Sequence, residues 1–164
     1  MSISDLLSAH NVILDAEPAN KETLLQLLAA EAAGRIGIPK EDILKALQAR
    51  EHIGSTALGK GVALPHSELR GTEIPLVLFA RLGGPIDFDA RDDEPVDLVF
   101  VVLWPMATRK GLLPVMGEIC KALREPQSLR RLRQAETPDA VVQIVRQALP
   151  LDAGQGQEPD EDDF

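Results

Sequence analysis

Asp97-Leu98-Val99-Phe100-Val101-Val102-Leu103-Trp104 is apolar at every position after its first. A strand with one wet face would alternate. An unbroken apolar run suits a central strand covered on both faces. Just upstream, Leu76 to Leu82 reads as a second strand, stopped by Gly83-Gly84-Pro85. Earlier still, Val62-Ala63-Leu64 is a short buried strand in which Pro65 holds Leu64 extended. A turn follows at Arg70-Gly71. Val12-Ile13-Leu14, ended by Asp15, reads as an edge strand.

Helical periodicity fills the intervals. Asn20 is placed to cap a helix from Lys21 to about Ala33, with Leu24, Leu27, Leu28 and Ala32 on its apolar side and Gly34 as the stop. Pro39 opens a second helix. Glu41 and Asp42 stand in its first turn, where carboxylates suit the helix dipole, and it ends near Arg50. Beyond Pro105, one helix carries Val115, Ile119 and Leu123, and another covers Ser128 to Ala135. A last helix runs from Pro138 to about Leu149 behind the cap Thr137. Helices alternating with strands around an apolar central strand argue for a single-domain α/β sandwich. There is no internal repeat.

The 164 residues are the size of one domain, and a content of 45% hydrophobic residues is enough to bury a core. Aromatics make up 3%, which leaves little for stacking single-stranded nucleic acid. The net charge of -9 is unevenly placed. Residues 151–164 carry six carboxylates and no Lys or Arg, so residues 1–150 hold 20 acids against 17 bases. The domain is therefore read as 1–150, and 151–164 as an acidic, disordered tail. Neither part suits DNA or an anionic membrane. One cysteine, Cys120, excludes an internal disulfide and a cysteine-rich zinc site. No apolar run reaches the roughly 18 to 20 residues of a membrane span, and the polar start is unlike a secretory signal. The expectation is a cytoplasmic protein without membrane insertion.

Chemistry has few places to reside. His10, His52 and His66 are the three histidines, and no two have a metal-ligand spacing, so no metal and no cofactor are expected. Gly54-Ser55-Thr56-Ala57-Leu58-Gly59-Lys60 matches G-x-x-x-x-G-K. The next residue is Gly61, not Ser or Thr, and the loop follows a helix and enters a strand, the reverse of a P-loop. His66 is the most suggestive residue. At a strand end beside the glycine-punctuated loop it can present one ring nitrogen to solvent, and neutral imidazole is a good nucleophile near pH 7. Arg50, the hydroxyls of Ser55 and Thr56, and the loop amides could supply positive charge and donors for a phosphoryl group. On position alone, a hydrogen-bonded structural histidine is the commoner occurrence. Arg124, Arg130, Arg131 and Arg133 read as a solvated helix face, Trp104 as core, and Cys120 as an inert buried thiol.

Arg50-Glu51-His52-Ile53-Gly54-Ser55-Thr56, followed by Gly59-Lys60-Gly61-Val62-Ala63-Leu64-Pro65-His66, resembles the enzyme IIA domain of the mannitol/fructose class of the phosphotransferase system. Pro85-Ile86-Asp87-Phe88-Asp89-Ala90 and Pro95-Val96-Asp97-Leu98-Val99-Phe100 extend the resemblance, which is nearest to the nitrogen-regulatory branch and runs through nearly all of residues 1–150. It implies a mannitol-type enzyme IIA fold, an α/β sandwich whose mixed sheet is flanked by helices on both faces. It also implies a protein-histidine phosphocarrier. His66 matches the histidine that accepts phosphate from an HPr-like protein, Arg50 the active-site arginine, and Ser55 and Thr56 the hydroxyl pair. In the regulatory branch, phosphorylation state is signalled to partner proteins, which the sequence does not identify.

One departure stands out. The family usually carries a second active-site histidine early in the helix after the long strand. Here that region reads Arg109-Lys110-Gly111-Leu112-Leu113-Pro114-Val115, with Leu112 or Pro114 where the histidine is expected. The alternative function is therefore a regulatory module of the same fold that signals by binding alone.

Overall fold

The apolar run quoted first forms the middle of β6 (Val96–Pro105) in a computed structural model that describes residues 2–149. The acidic tail read at 151–164 lies outside the described residues. β6 pairs antiparallel with β5 (Leu76–Ile86), and parallel with both β3 (Val62–Ala63) and β4 (His66–Leu69). β1 (Val12–Ala16) lies beside β5 and β2 (Ala57–Gly59) beside β3, giving the order β1-β5-β6-β3-β2 with β4 also on β6. The sheet is mixed, as the resemblance implied, and β1 is an edge.

The described chain divides into two compact units, the first running from Ile13 to Arg109. Its core lies between the sheet and two helices, α2 (Lys21–Ile36) and α3 (Lys40–Ile53). Leu76, Leu78, Ala80 and Leu82 of β5 and Val99, Val101 and Leu103 of β6 alternate onto the face that meets Leu24, Leu28, Ala32, Ile43 and Leu47. The intervening residues Val77, Phe79, Leu98, Phe100 and Val102 are equally buried, which accounts for the absence of alternation in the sequence. Phe79 and Phe100 meet edge to face at 5.0 Å. Trp104 is buried at the end of β6, and its indole N–H donates to the Thr108 carbonyl at 2.8 Å.

The second unit takes in residues up to Val12 and from Lys110 onward. Its helices are α1 (Ile3–Leu6), α4 (Leu112–Leu123), α5 (Pro126–Gln134) and α6 (Pro138–Ala148). Ile3, Val115, Ile119, Leu129, Leu132, Val141 and Val145 are buried within it. Thr137 caps α6 by accepting the Ala140 N–H, as its position suggests. Arg124, Arg130, Arg131 and Arg133 are all exposed, and Arg131 donates to Gln147 at 2.8 Å.

Several boundaries differ from expectation. α2 passes through Gly34 and stops at Gly37, whose φ of 73° provides the left-handed C-cap. β5 does not stop at Gly83 but runs to Ile86 across a register shift after Arg81. A Cβ at Gly83 would meet the exposed Glu17 side chain at 3.0 Å, so a larger residue there needs that side chain to move aside. His66 does not end the strand of Val62 and Ala63. It opens a separate strand, β4, beyond Pro65, which has no N–H to continue the ladder. The loop from Gly54 contains β2, and Gly59, Lys60 and Gly61 all adopt positive φ between β2 and β3. Residues matching G-x-x-x-x-G-K thus lead from α3 into a two-stranded turn and not into a helix.

Candidate functional site

The half-buried His66 is placed by β4, whose backbone pairs with Val102 of β6. Its Nδ1 lies 2.8 Å from the Leu64 carbonyl oxygen. A carbonyl only accepts, so Nδ1 carries the proton, and in neutral imidazole the lone pair then resides on Nε2. Burial pushes the His66 pKa below its ordinary value of 6.5. The bond to Leu64 opposes that shift, the Arg50 charge adds to it, and the Glu51 charge opposes it. The imidazole is therefore neutral at pH 7, and both charges from the end of α3 act on it.

Arg50 and Glu51 stand in the last turn of α3. Arg50 donates one N–H to the Gly54 carbonyl at 3.0 Å, which caps the helix end. A guanidinium has five N–H groups, so this bond leaves the fork able to bind an anion. Ser55 donates its hydroxyl proton to the Phe88 carbonyl at 2.8 Å and accepts the Ala57 N–H. Thr56 is buried, and its hydroxyl is turned to Glu51. Arg50 and His66 are thus electrostatically coupled, while each proton of the hydroxyl pair already has an acceptor elsewhere.

Two residues not singled out from the sequence complete this region. The Glu51 carboxylate also accepts the Thr56 N–H at 3.2 Å and an ion pair from Lys21 Nζ at 2.9 Å. Lys21 Nζ also lies 4.4 Å from the centroid of the Phe88 ring and 3.4 Å from Asp89. Glu51 does stand inside the motif that begins at Arg50, and that was its only signal. Lys21 had none, because a lysine in a first helical turn looks like a solvated charge. Asp92 accepts the Lys60 N–H at 2.9 Å, tying the segment after Phe88 to the turn between β2 and β3.

Leu112 is the first residue of α4 and Pro114 the third, so the proline occupies a position that needs no intrahelical N–H. Among the described residues no group of three or more His, Cys, Asp or Glu could hold a metal ion. No described helix is long and apolar enough to cross a membrane.

Residues 5–148 match the family described as "Phosphoenolpyruvate-dependent sugar phosphotransferase system, EIIA 2". A nitrogen regulatory protein from Bradyrhizobium diazoefficiens is 37% identical over 150 residues, covering 92% of this chain and 97% of that one. The crystal structure of nitrogen regulatory protein IIA-Ntr from Neisseria meningitidis superposes with a TM-score of 0.84 at 29% identity, covering 87% of this chain and 98% of that one. IIA mannitol from Escherichia coli shares the fold, with a TM-score of 0.71 at 21% identity over 85% of this chain and 98% of that one.

Proposed function

The chain belongs to the EIIA 2 family of the phosphoenolpyruvate-dependent sugar phosphotransferase system, and on that premise we propose that it is a regulatory phosphocarrier using His66. The observation that carries the proposal is the Nδ1–H bond to Leu64, which directs the Nε2 lone pair outward as a nucleophile. An HPr-like phosphoprotein is the donor. Nε2 attacks phosphorus, a new N–P bond forms, and the donor's bond to phosphorus breaks with the electron pair leaving on the donor. The imidazole ring takes on positive charge, which the Leu64 carbonyl stabilises through Nδ1–H. Arg50 binds the phosphoryl oxygens with its fork. Ser55 joins it by turning its hydroxyl away from Phe88, and Thr56 shapes the loop beneath them.

The nitrogen-regulatory names of the relatives favour a signalling role, with phosphorylation state read by partner proteins, and this reading sets the protein in the cytoplasm. Residues 1–150 form the phosphocarrier domain in this reading, and 151–164 a separate tail. The binding-only alternative rests on Leu112 and Pro114 standing where a second histidine is expected.

The test is incubation with enzyme I, an HPr-type carrier and phosphoenolpyruvate, read by intact mass. The expected result is a gain of one phosphate by the wild type and none by His66→Ala, with both proteins folded by circular dichroism. Phosphate retained by His66→Ala overturns the site, and no gain by the wild type favours the binding-only module.

A further inference from the structure

We propose that Glu51 is a positioning residue for His66, acting through Thr56 and Leu64, with Lys21 holding Glu51 in place. The proposal deepens the phosphocarrier reading and rests on it for the role of His66. A continuous chain of polar contacts carries it. Lys21 Nζ lies 2.9 Å from Glu51 Oε2. The same carboxylate accepts both the N–H and the hydroxyl of Thr56. The Thr56 carbonyl accepts the Leu64 N–H at 3.0 Å. The Leu64 carbonyl accepts Nδ1–H of His66 at 2.8 Å. The residue that fixes the imidazole tautomer is therefore itself fixed through Thr56, by a carboxylate two steps away.

Two features separate Glu51 from an ordinary surface acid. Its side chain is 6% exposed, and a carboxylate so buried is costly unless it is paired and hydrogen-bonded, as this one is. It also lies in the last turn of α3, where the helix dipole disfavours negative charge. A solvated acid gains nothing from either placement. The opposed effects of Arg50 and Glu51 on the His66 proton affinity agree with a charge pair set close to the ring. Lys21 Nζ also faces the Phe88 ring at 4.4 Å, so the far end of the chain of contacts has a partner besides Glu51.

The test compares wild type, Glu51→Gln, Glu51→Ala and Thr56→Val, first without phosphate. Nitrogen-15 shifts of the His66 ring report its tautomer whether or not the protein is ever phosphorylated. The expected result is an Nδ1–H tautomer in the wild type and a shift toward Nε2–H in both Glu51 variants, with a smaller shift in Thr56→Val. Transfer from the phosphorylated donor should then slow about tenfold in Glu51→Gln, with no change in the donor concentration giving half-maximal rate. A purely structural carboxylate would lower the melting temperature and leave the tautomer alone. A folded Glu51→Gln with the wild-type tautomer overturns the proposal. If Glu51→Gln does not fold, Thr56→Val decides by the same measurement, since it leaves the Lys21–Glu51 pair intact. If the wild type accepts no phosphate, the phosphocarrier reading falls, and the tautomer comparison still decides the placement of the ring.

Discussion

His66 Nδ1 donates to the carbonyl of Leu64, two residues earlier, at 2.8 Å across Pro65. The bond fixes both the ring's orientation and which nitrogen is free. It also couples acid–base behaviour to function. Burial lowers the His66 pKa below 6.5, so the nucleophilic form is already dominant at neutral pH. The rate of phosphate acceptance should be flat near pH 7 and fall with a midpoint below 6.5. A midpoint at or above 6.5 in a pH–rate profile contradicts this. Stability has the same sign. The unfolded chain takes up its proton at the ordinary value and the folded one only at lower pH, so this group costs stability as pH falls below 6.5.

Arg50→Lys should keep the charge and lose the fork. Replacing a bidentate guanidinium by a single ammonium forfeits about one charge-assisted hydrogen bond, about 1.5 kcal/mol, so transfer should slow about tenfold. Single-turnover rates for the two proteins measure it. Equal rates would mean that Arg50 serves only the Gly54 carbonyl at the end of α3.

Glu118 of α4 offers a stability test away from the site. Burial raises its pKa, against a bond from the Ile3 backbone, and its Oε2 has no hydrogen-bond partner. A carboxyl with a raised folded pKa contributes stability at low pH that is lost as pH rises through that pKa. Glu118→Gln should therefore have a higher melting temperature than wild type at pH 7, and the gap should close near pH 4. A gap that is unchanged with pH would show that the charge is not the cause.

Gly34 and Gly37 should respond oppositely to alanine. Gly34 lies inside α2 with open space around its Cα, so Gly34→Ala should stabilise by about 0.5 to 1 kcal/mol. Gly37 has open space too, but its φ is 73°, so Gly37→Ala should destabilise by about 1 kcal/mol. Urea denaturation of both variants measures the difference. The same sign for both would place the end of α2 elsewhere.

These two glycines also show how far the sequence could be read. Either could end a helix, and only the backbone angle distinguishes them. The long elements were legible because their signals are redundant. The run from Leu98 to Trp104 needs two covered faces, and Asn20 and Thr137 cap helices with apolar periodicity behind them. β2 and β4 were not legible, since three- and four-residue strands are fixed by their partners and not by their own pattern. At the site, the Leu64-Pro65-His66 stretch announced itself. Glu51 and Lys21 did not, because a buried ion pair and a solvated one use the same letters.

The most direct test of the central claim is the position of the phosphate on the ring. Wild-type protein labelled with nitrogen-15 at histidine is phosphorylated through enzyme I and the HPr-type carrier, and the His66 ring nitrogens are then assigned by long-range proton–nitrogen correlation. With Nδ1 committed to the Leu64 carbonyl, phosphorus should be bonded to Nε2, with Nδ1 still protonated. A phosphoryl group on Nδ1, or on His10 or His52 with His66 unmodified, would contradict it.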